Sequence, residues 1–357
     1  RIMSRERTDI LNAKKVLADV WPGQAQESSV ALLKALHILT RDGALNHDAR
    51  RKLKQVLHLV QLLRPSIEAL LAENPDAVIA DLGTGKSYLG FILYDLVIGL
   101  LGCGNIVGVD VRNELVEKSR LLAKESNFTR MTFVAGEIAG TTLPGRRADM
   151  VTALHACDTA TDDAIRFALH HEAKVVALIP CCQAEVATLL GASTSPLHQL
   201  WRHNTHRREF GAHVTNVIRS LVLEMHGYKV RVTEFTGLEH SLKNELILAT
   251  RHQKSNPLAR RKLEQLVDQL PLVSRVYVGD VQQNQRLAPQ RLTEPPPQAF
   301  PVPRLHHEHH VCPAEQAGRH LHACIGLRSG RAHVAVGAVL QQVFDNGCLV
   351  IGLRQLA

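Results

Sequence analysis

Aromatic residues are scarce: Phe, Tyr and Trp together make up 4% of the 357 residues. Aliphatic side chains must therefore fill most of the core, and a surface that stacks unpaired bases on rows of rings is disfavoured. Long apolar runs are missing too. None reaches the roughly 18 residues that a membrane-spanning helix needs, so no membrane role is expected. Disulfide patterning is also absent. The seven cysteines (Cys103, Cys157, Cys181, Cys182, Cys312, Cys324 and Cys348) are odd in number and do not have the spacing of a disulfide framework. A reduced, cytoplasmic setting is the expectation. No apolar core follows the charged opening residues, so no secretory peptide is expected. The chain opens on Arg1 instead of Met, as a fragment or a frame opened upstream of the true start would. No internal repeat is found.

Hydrophobic residues make up 45% of the chain, enough for a sizeable core, and the length suits one large domain with additions or two domains. The formal charge of +8 favours anionic partners such as nucleic acid and says nothing about fold.

Apolar residues recur at helical spacing over Glu27 to Thr40 and again over about Asn46 to Glu73. Asn46 is a suitable cap for the second helix, and Pro65 inside it predicts a kink or a break. The pattern then changes. Short apolar runs at Ala77 to Leu82, Asn105 to Val109, Met131 to Ala135, Ala148 to Leu154 and Lys174 to Ile179 read as strands. Helical stretches at Tyr88 to Leu101, Asn113 to Ser126 and Ala160 to His171 alternate with them. Such alternation predicts parallel βαβ units in an open α/β sheet. A helix around Thr215 to His226 and two strands, Tyr228 to Thr236 and Asn244 to Thr250, would complete it, the last two as an antiparallel edge pair. Leu258 to Leu270 is a basic, helix-compatible stretch. Residues 285–304 have the Pro- and Gln-rich composition of a linker.

The chemistry centres on Asp81-Leu82-Gly83-Thr84-Gly85-Lys86, a D-x-G-x-G turn between a strand and a helix. Gly83 and Gly85 can take positive φ and let the main chain approach a ligand. The helix start that follows offers N–H groups near it. Asp110 ends the next strand, where a carboxylate can accept both hydroxyls of a ribose. Phosphate-binding loops fit less well. A Walker A loop needs a glycine at the position of Ala80, and a dinucleotide fingerprint needs one at Tyr88. An acid two residues before the first glycine points instead to the methionine end of S-adenosylmethionine, whose ammonium needs a carboxylate or carbonyl nearby. The alternative is an ordinary βα turn with Asp81 as a helix cap.

Asp81 to Leu89 (DLGTGKSYL) resembles the D-x-G-x-G-K-G-Y-L motif of a class I methyltransferase group. That group includes bacterial methyltransferases and, more distantly, a eukaryotic tRNA 2′-O-methyltransferase family. Ala153 to Asp163 (ALHACDTATDD), Ile179 to Gln183 (IPCCQ), Gly237 to Asn244 (GLEHSLKN) and the lead-in Arg50 to Val60 fit it as well. Each motif alone is modest; together and in order they are specific. Ser87 departs from the pattern, standing where the family has a small residue or glycine. The resemblance runs from about residue 25 to 252. It implies a Rossmann-like, seven-stranded α/β sheet with helices on both faces and one antiparallel strand near an edge. It assigns Asp81, Gly83 and Gly85 to the donor's methionine part, Asp110 to its ribose and Glu137 to the neighbourhood of its adenine. Thr84, Lys86, Tyr88, Val111, Ile138 and His155 complete the cofactor-binding set that it implies.

Ligands of open α/β sheets bind beyond the carboxyl ends of the strands. His155, Cys157 and Asp158 follow the fourth predicted strand, and Cys181 and Cys182 follow the fifth. An acceptor hydroxyl or amine must lose a proton; His155 has a suitable intrinsic pKa, and Asp158 can orient it or act itself. Asp158 to Asp162 also reads as a capped helix start, and both readings can hold. Cys181 and Cys182 admit three readings: buried packing residues, a thiolate nucleophile toward C6 of cytosine, or ligands of a metal with His155 and Cys157. No resident metal is expected, because adjacent cysteines suit one tetrahedral ion badly. Glu239, His240 and Asn244 form either part of the site or a polar turn.

Basic clusters occur at Arg50-Arg51-Lys52-Lys54, at Arg202-His203 with His206-Arg207-Arg208, and at Arg260-Arg261-Lys262. They read as solvated helix faces or, where they converge, as a phosphate track for RNA. The His- and Cys-bearing tail, with His306, His307, His309, His310 and Cys312, matches no finger spacing. The expected organisation is an N-terminal helical extension (1–75), a methyltransferase domain (76–252), a basic helical segment (253–284) and a Pro/His-rich, irregular tail (285–357). The expected activity is methyl transfer from S-adenosylmethionine, to RNA at a ribose hydroxyl or base nitrogen, or to a small molecule or protein. An inactive donor-binding scaffold is the remaining alternative.

Overall fold

A computed structural model of the chain describes residues 2–143, 145, 147–154, 159–180, 184–191, 196–234 and 245–270, with backbone only for 2–6. They fall within one compact unit. Seven strands form one sheet: β1 (Val78–Leu82), β2 (Asn105–Asp110), β3 (Met131–Ala135), β4 (Met150–Leu154), β5 (Val175–Ile179), β6 (Tyr228–Glu234) and β7 (Glu245–Arg251). Their spatial order is β3-β2-β1-β4-β5-β7-β6. The first five run parallel, while β7 is antiparallel to both β5 and β6. This is the Rossmann-like arrangement, with the order reversing beside β1.

Position in the sheet explains the strand patterns. Every residue of β5 is buried, and β1 and β4 are nearly so, because helices cover both faces there. The edge strand β6 buries only its first residue fully. Along β5, Val175, Ala177 and Ile179 pack into one core, and Val176 and Leu178 into the other. That period of two is the pleat itself.

The first core is built largely by the N-terminal helices α1 (Ile2–Leu17), α2 (Glu27–Ala35) and α3 (His47–Glu73), together with the helix after β1 and with α6 (Asn113–Glu125). The second takes α7 (Thr159–His170) and, from α9 (Asn204–Met225), Leu223. A third cluster joins α8 (Glu185–Gly191), α9 and α10 (Pro257–Gln269), with Trp201 buried at its centre. The helix after β1 runs as α4 (Tyr88–Leu93), a π-helical turn (Tyr94–Ile98) and α5 (Gly99–Leu101). In that turn Asp95 accepts a hydrogen bond from Ser29 Oγ at 2.7 Å, which ties α2 to the sheet domain.

The N-terminal helix α3 is the longest element and decides one wall of the site. Asn46 caps it, its side chain accepting from the Ala49 N–H at 2.8 Å. The break expected at Pro65 does not occur: one helix runs from His47 to Glu73 with the proline inside it. Pro65 and Gln61, whose carbonyl loses its partner, are both exposed. Water can serve that carbonyl, while Leu63, Ile67 and Leu70 on the buried face hold the helix together. No described helix is long and apolar enough to cross a membrane.

Candidate functional site

The turn after β1 is fixed by hydrogen bonds to the end of β2. The Thr84 N–H donates to the Val109 carbonyl at 3.0 Å, and the Gly85 N–H donates to Asp110 Oδ2 at 2.7 Å. Gly83 and Gly85 take φ of +65° and +58°, a left-handed conformation that L side chains rarely adopt. A Cβ built on Gly83 would meet nothing within 4 Å, and one on Gly85 would meet only the Arg112 guanidinium at 3.4 Å. Conformation, more than crowding, therefore demands glycine here. The result is a bare stretch of main chain facing open space.

That space is a cavity of about 620 Å³. Asp81, Gly83, Thr84, Gly85, Tyr88 and Leu89 form one side, and Arg112 and Leu154 contribute to the rim. The opposite wall is α3, through Asp48, Arg51, Lys52, Gln55 and Val56. These positions follow helical spacing along one stripe of the first three turns. The Lys52 ammonium lies 3.9 Å from the centre of the Tyr88 ring, a cation–π contact that joins the two walls.

Asp81 is 3% exposed. Its Oδ2 accepts from Thr84 Oγ1 at 2.6 Å and its Oδ1 from Thr152 Oγ1 at 2.9 Å, so it braces the turn against β4. Burial pushes its carboxyl up to about 6 from an ordinary 3.8, the two hydroxyls pull it back down, and the nearby Asp110 charge adds a small upward push. The sign for stability follows. The group is protonated in the fold, and ionised in the unfolded chain, between about pH 4 and 6. Its contribution is complete below the unfolded value and lost as pH rises through 6, by about 3 kcal/mol. Asp81→Asn is expected to remove that portion of the pH dependence, read as a flatter plot of urea midpoint against pH from 4 to 7.

Asp110 is also 3% exposed, and all of its acceptor directions are in use. Oδ1 accepts from the Arg112 N–H at 3.0 Å and from Arg112 Nε at 2.9 Å; Oδ2 accepts from Gly85 and from Arg112 Nη2 at 3.1 Å. Burial alone would raise its carboxyl, but the Arg112 and Gly85 hydrogen bonds outweigh it and hold the group below the usual aspartate range. Asp110 thus stands behind Arg112, and it is Arg112 that lines the cavity.

The other sequence-predicted residues divide. Lys86 and Glu137 are exposed, as is Val111 at 65%; Ile138 packs against the second core. None of the four lines the cavity. His155, Cys157, Asp158, Cys181, Cys182, Glu239, His240 and Asn244 lie outside the described residues, as does the tail with its histidines. Among the described residues no cluster of His, Cys, Asp and Glu could hold a metal ion. Sequence reasoning missed the α3 wall. The available signal was the polar stripe Asp48, Arg51, Lys52 and Gln55 opposite an apolar face, within a segment that already fitted the resemblance.

Ser87 closes the turn at φ +54°, fully buried, with no hydrogen-bond partner for its hydroxyl among the described residues. Left-handed backbone costs a non-glycine roughly 1–2 kcal/mol, and a stranded buried hydroxyl adds to that. Glycine's greater freedom in the unfolded chain offsets part of the gain. Ser87→Gly is expected to raise stability by about 1 kcal/mol by urea denaturation.

Residues 51–189 match the family model described as a methyltransferase domain, a span covering the α3 wall from Arg51 onward, the glycine turn, Asp110 and β4 and β5. The class is that of the S-adenosylmethionine-dependent methyltransferases, with S-adenosylmethionine as the methyl donor. No curated protein matches the chain. Among solved structures, a methyltransferase of Podospora anserina with bound S-adenosylhomocysteine is 13% identical; the match covers 70% of this chain and 97% of that one, with a TM-score of 0.39. The magnesium protoporphyrin IX methyltransferase of Synechocystis is 14% identical, over 68% and 100% of the two chains, with a TM-score of 0.36. An rRNA methylase of Streptococcus thermophilus is 12% identical, over 53% and 95%, with a TM-score of 0.34.

Proposed function

We propose that the chain transfers the methyl group of S-adenosylmethionine to RNA, at a ribose hydroxyl or a base nitrogen. The observation that carries the donor half is the bare Gly83–Gly85 main chain facing the cavity, with Asp81 beneath it and Asp110 at its side. These residues fit the group: glycines at positive φ leave room for a nucleoside, and a carboxylate stands where ribose hydroxyls need an acceptor. Asp110 takes those hydroxyls in place of part of the Arg112 contact, and the guanidinium stays beside the carboxylate as its counter-charge. Asp81 supplies negative charge on the side of the donor's ammonium.

The donor supplies an electrophilic methyl on a positive sulfur. The chain's residues supply alignment, and in-line displacement depends heavily on it. The acceptor's lone pair forms the new bond to carbon as the carbon–sulfur bond breaks, its electron pair leaving with the homocysteine sulfur. His155, with Asp158 orienting it or acting in its place, is the proposed base for the acceptor proton. Cys181 and Cys182, which follow the fifth strand in the sequence, are proposed to serve the acceptor.

The RNA half is supported by the formal charge of +8 and by the cations Arg51, Lys52 and Arg112 on the cavity walls. The decisive experiment incubates labelled donor separately with total RNA, protein extract and metabolites. Label in RNA, with an affinity that falls steeply as salt rises, is the expected result. Label only in protein or metabolites would reject RNA as the acceptor, and donor binding without transfer to any acceptor would leave an inactive scaffold.

A further inference from the structure

We infer that Lys52 binds the α-carboxylate of the methyl donor; the inference rests on the donor reading above. S-adenosylmethionine carries two positive groups, the sulfonium and the ammonium, and a single anion, the carboxylate. An anion held in a partly enclosed cavity needs a charge-assisted partner. Three cations line this cavity, and two are already committed. Arg112 holds Asp110 through Nε and Nη2, and Arg51 Nη2 lies 3.4 Å from Asp48 Oδ1 on the same wall. Lys52 has no carboxylate partner among the described residues.

Its place is fixed from the other side. The Lys52 ammonium sits over the Tyr88 ring, and Tyr88 is the first residue of α4, three positions after Gly85. The ring therefore holds the charge beside the glycine turn. A ring face attracts a cation without using up its N–H donors, so all three remain for an oxyanion. The amino-acid end of the donor would then lie between two opposite charges, Asp81 for its ammonium and Lys52 for its carboxylate. This arrangement gives α3, a helix from outside the sheet, its part in the cavity: it carries Lys52, the lining cation that has no carboxylate partner among the described residues.

The test is a binding cycle by titration calorimetry. The ligands are S-adenosylhomocysteine and its carboxamide, in which the carboxylate alone is neutralised. The proteins are wild type, Lys52→Met, Lys52→Arg and Arg51→Met, each first shown to unfold at the wild-type temperature. Wild type is expected to prefer the carboxylate ligand about 10-fold or more, as charge-assisted hydrogen bonds allow. Lys52→Met should weaken S-adenosylhomocysteine by the same factor and leave the carboxamide unchanged; Lys52→Arg should keep part of the preference. If Lys52→Met discriminates as wild type does, or if Arg51→Met abolishes the preference instead, the assignment is overturned. Folded wild type that binds neither ligand would overturn the donor reading, and this assignment with it.

Discussion

Gly227→Ala is expected to cost the fold about 4 kcal/mol. Gly227 follows the last turn of α9 at φ +89°, where its N–H donates to the Glu224 carbonyl at 2.9 Å and the chain turns into β6. Its own carbonyl accepts from the N–H groups of His252 and Gln253, at 3.1 and 3.2 Å, so the segment leaving β7 lies directly against it. A Cβ there would stand 2.0 Å from the Gln253 carbonyl oxygen and 2.6 Å from its carbon. Both are main-chain atoms, so no side-chain rotation relieves the clash. Left-handed backbone contributes about 1 kcal/mol and forced displacement of packed main chain about 3. Against a typical domain stability of 5–15 kcal/mol that is a large share. Gly227 immediately precedes the edge strand β6, at the end of the sheet where the parallel strands start, while the glycine turn follows the end of β1, so donor affinity of whatever remains folded should be unchanged. The measurement is a urea unfolding curve with S-adenosylhomocysteine titration of the folded fraction. A shift of under 1 kcal/mol would mean that the β7 exit can move away freely.

Asp110→Asn is expected to weaken S-adenosylhomocysteine binding about 100-fold, with little change in stability. Two ribose hydroxyls donating to a carboxylate make two charge-assisted hydrogen bonds, each of roughly 1.5–3 kcal/mol. The amide keeps one acceptor oxygen, which can still take the Gly85 N–H that shapes the turn. Its NH₂ group is a donor: it opposes the Arg112 guanidinium outright, and it can offer a ribose hydroxyl only a neutral bond in place of a charge-assisted one. The Asp110–Arg112 pair is 56% exposed on the arginine side, so its loss should affect stability by no more than about 1 kcal/mol. Calorimetry checks the affinity and thermal unfolding checks the fold. Equal binding by wild type and variant would remove Asp110 from the donor site and leave it as a strut for the turn.

Much of the fold was readable in advance, for a reason visible in particular elements. The central strands β1, β4 and β5 are short and mostly apolar, with Asp81 and Thr152 the exceptions, and α7 carries one apolar face. That alternation admits few topologies, because parallel neighbours require a crossover helix between them. The antiparallel pair β6–β7 was legible for the opposite reason, two strand patterns close together in the sequence. Helix α8 and the first half of α9 were not read as elements: Asn204 to Gly211 is too polar to show an apolar stripe, and its one buried residue, Gly211, lies against Ala187 of α8. Pro65 predicts a kink or a break; of the two the break does not occur, because an exposed position allows the helix to continue.

The glycine turn itself was legible because its requirement is local. Positive φ at residues 83 and 85 demands glycine whatever surrounds them, so Gly83, Gly85 and the acid before them mark the turn in any sequence listing of this chain. The cavity's other wall was not, because nothing local distinguishes Arg51 and Lys52 from a solvated helix face. Only the packing of α3 beside α4 brings Lys52 over Tyr88, 36 positions further along the chain. Likewise the sequence names Asp110 as an acid at a strand end, but the tertiary structure decides that Arg112 already occupies it. Backbone conformation and strand periodicity are short-range properties, written residue by residue. Charge partnership is a matter of distance through space, and it exists only once the chain has folded.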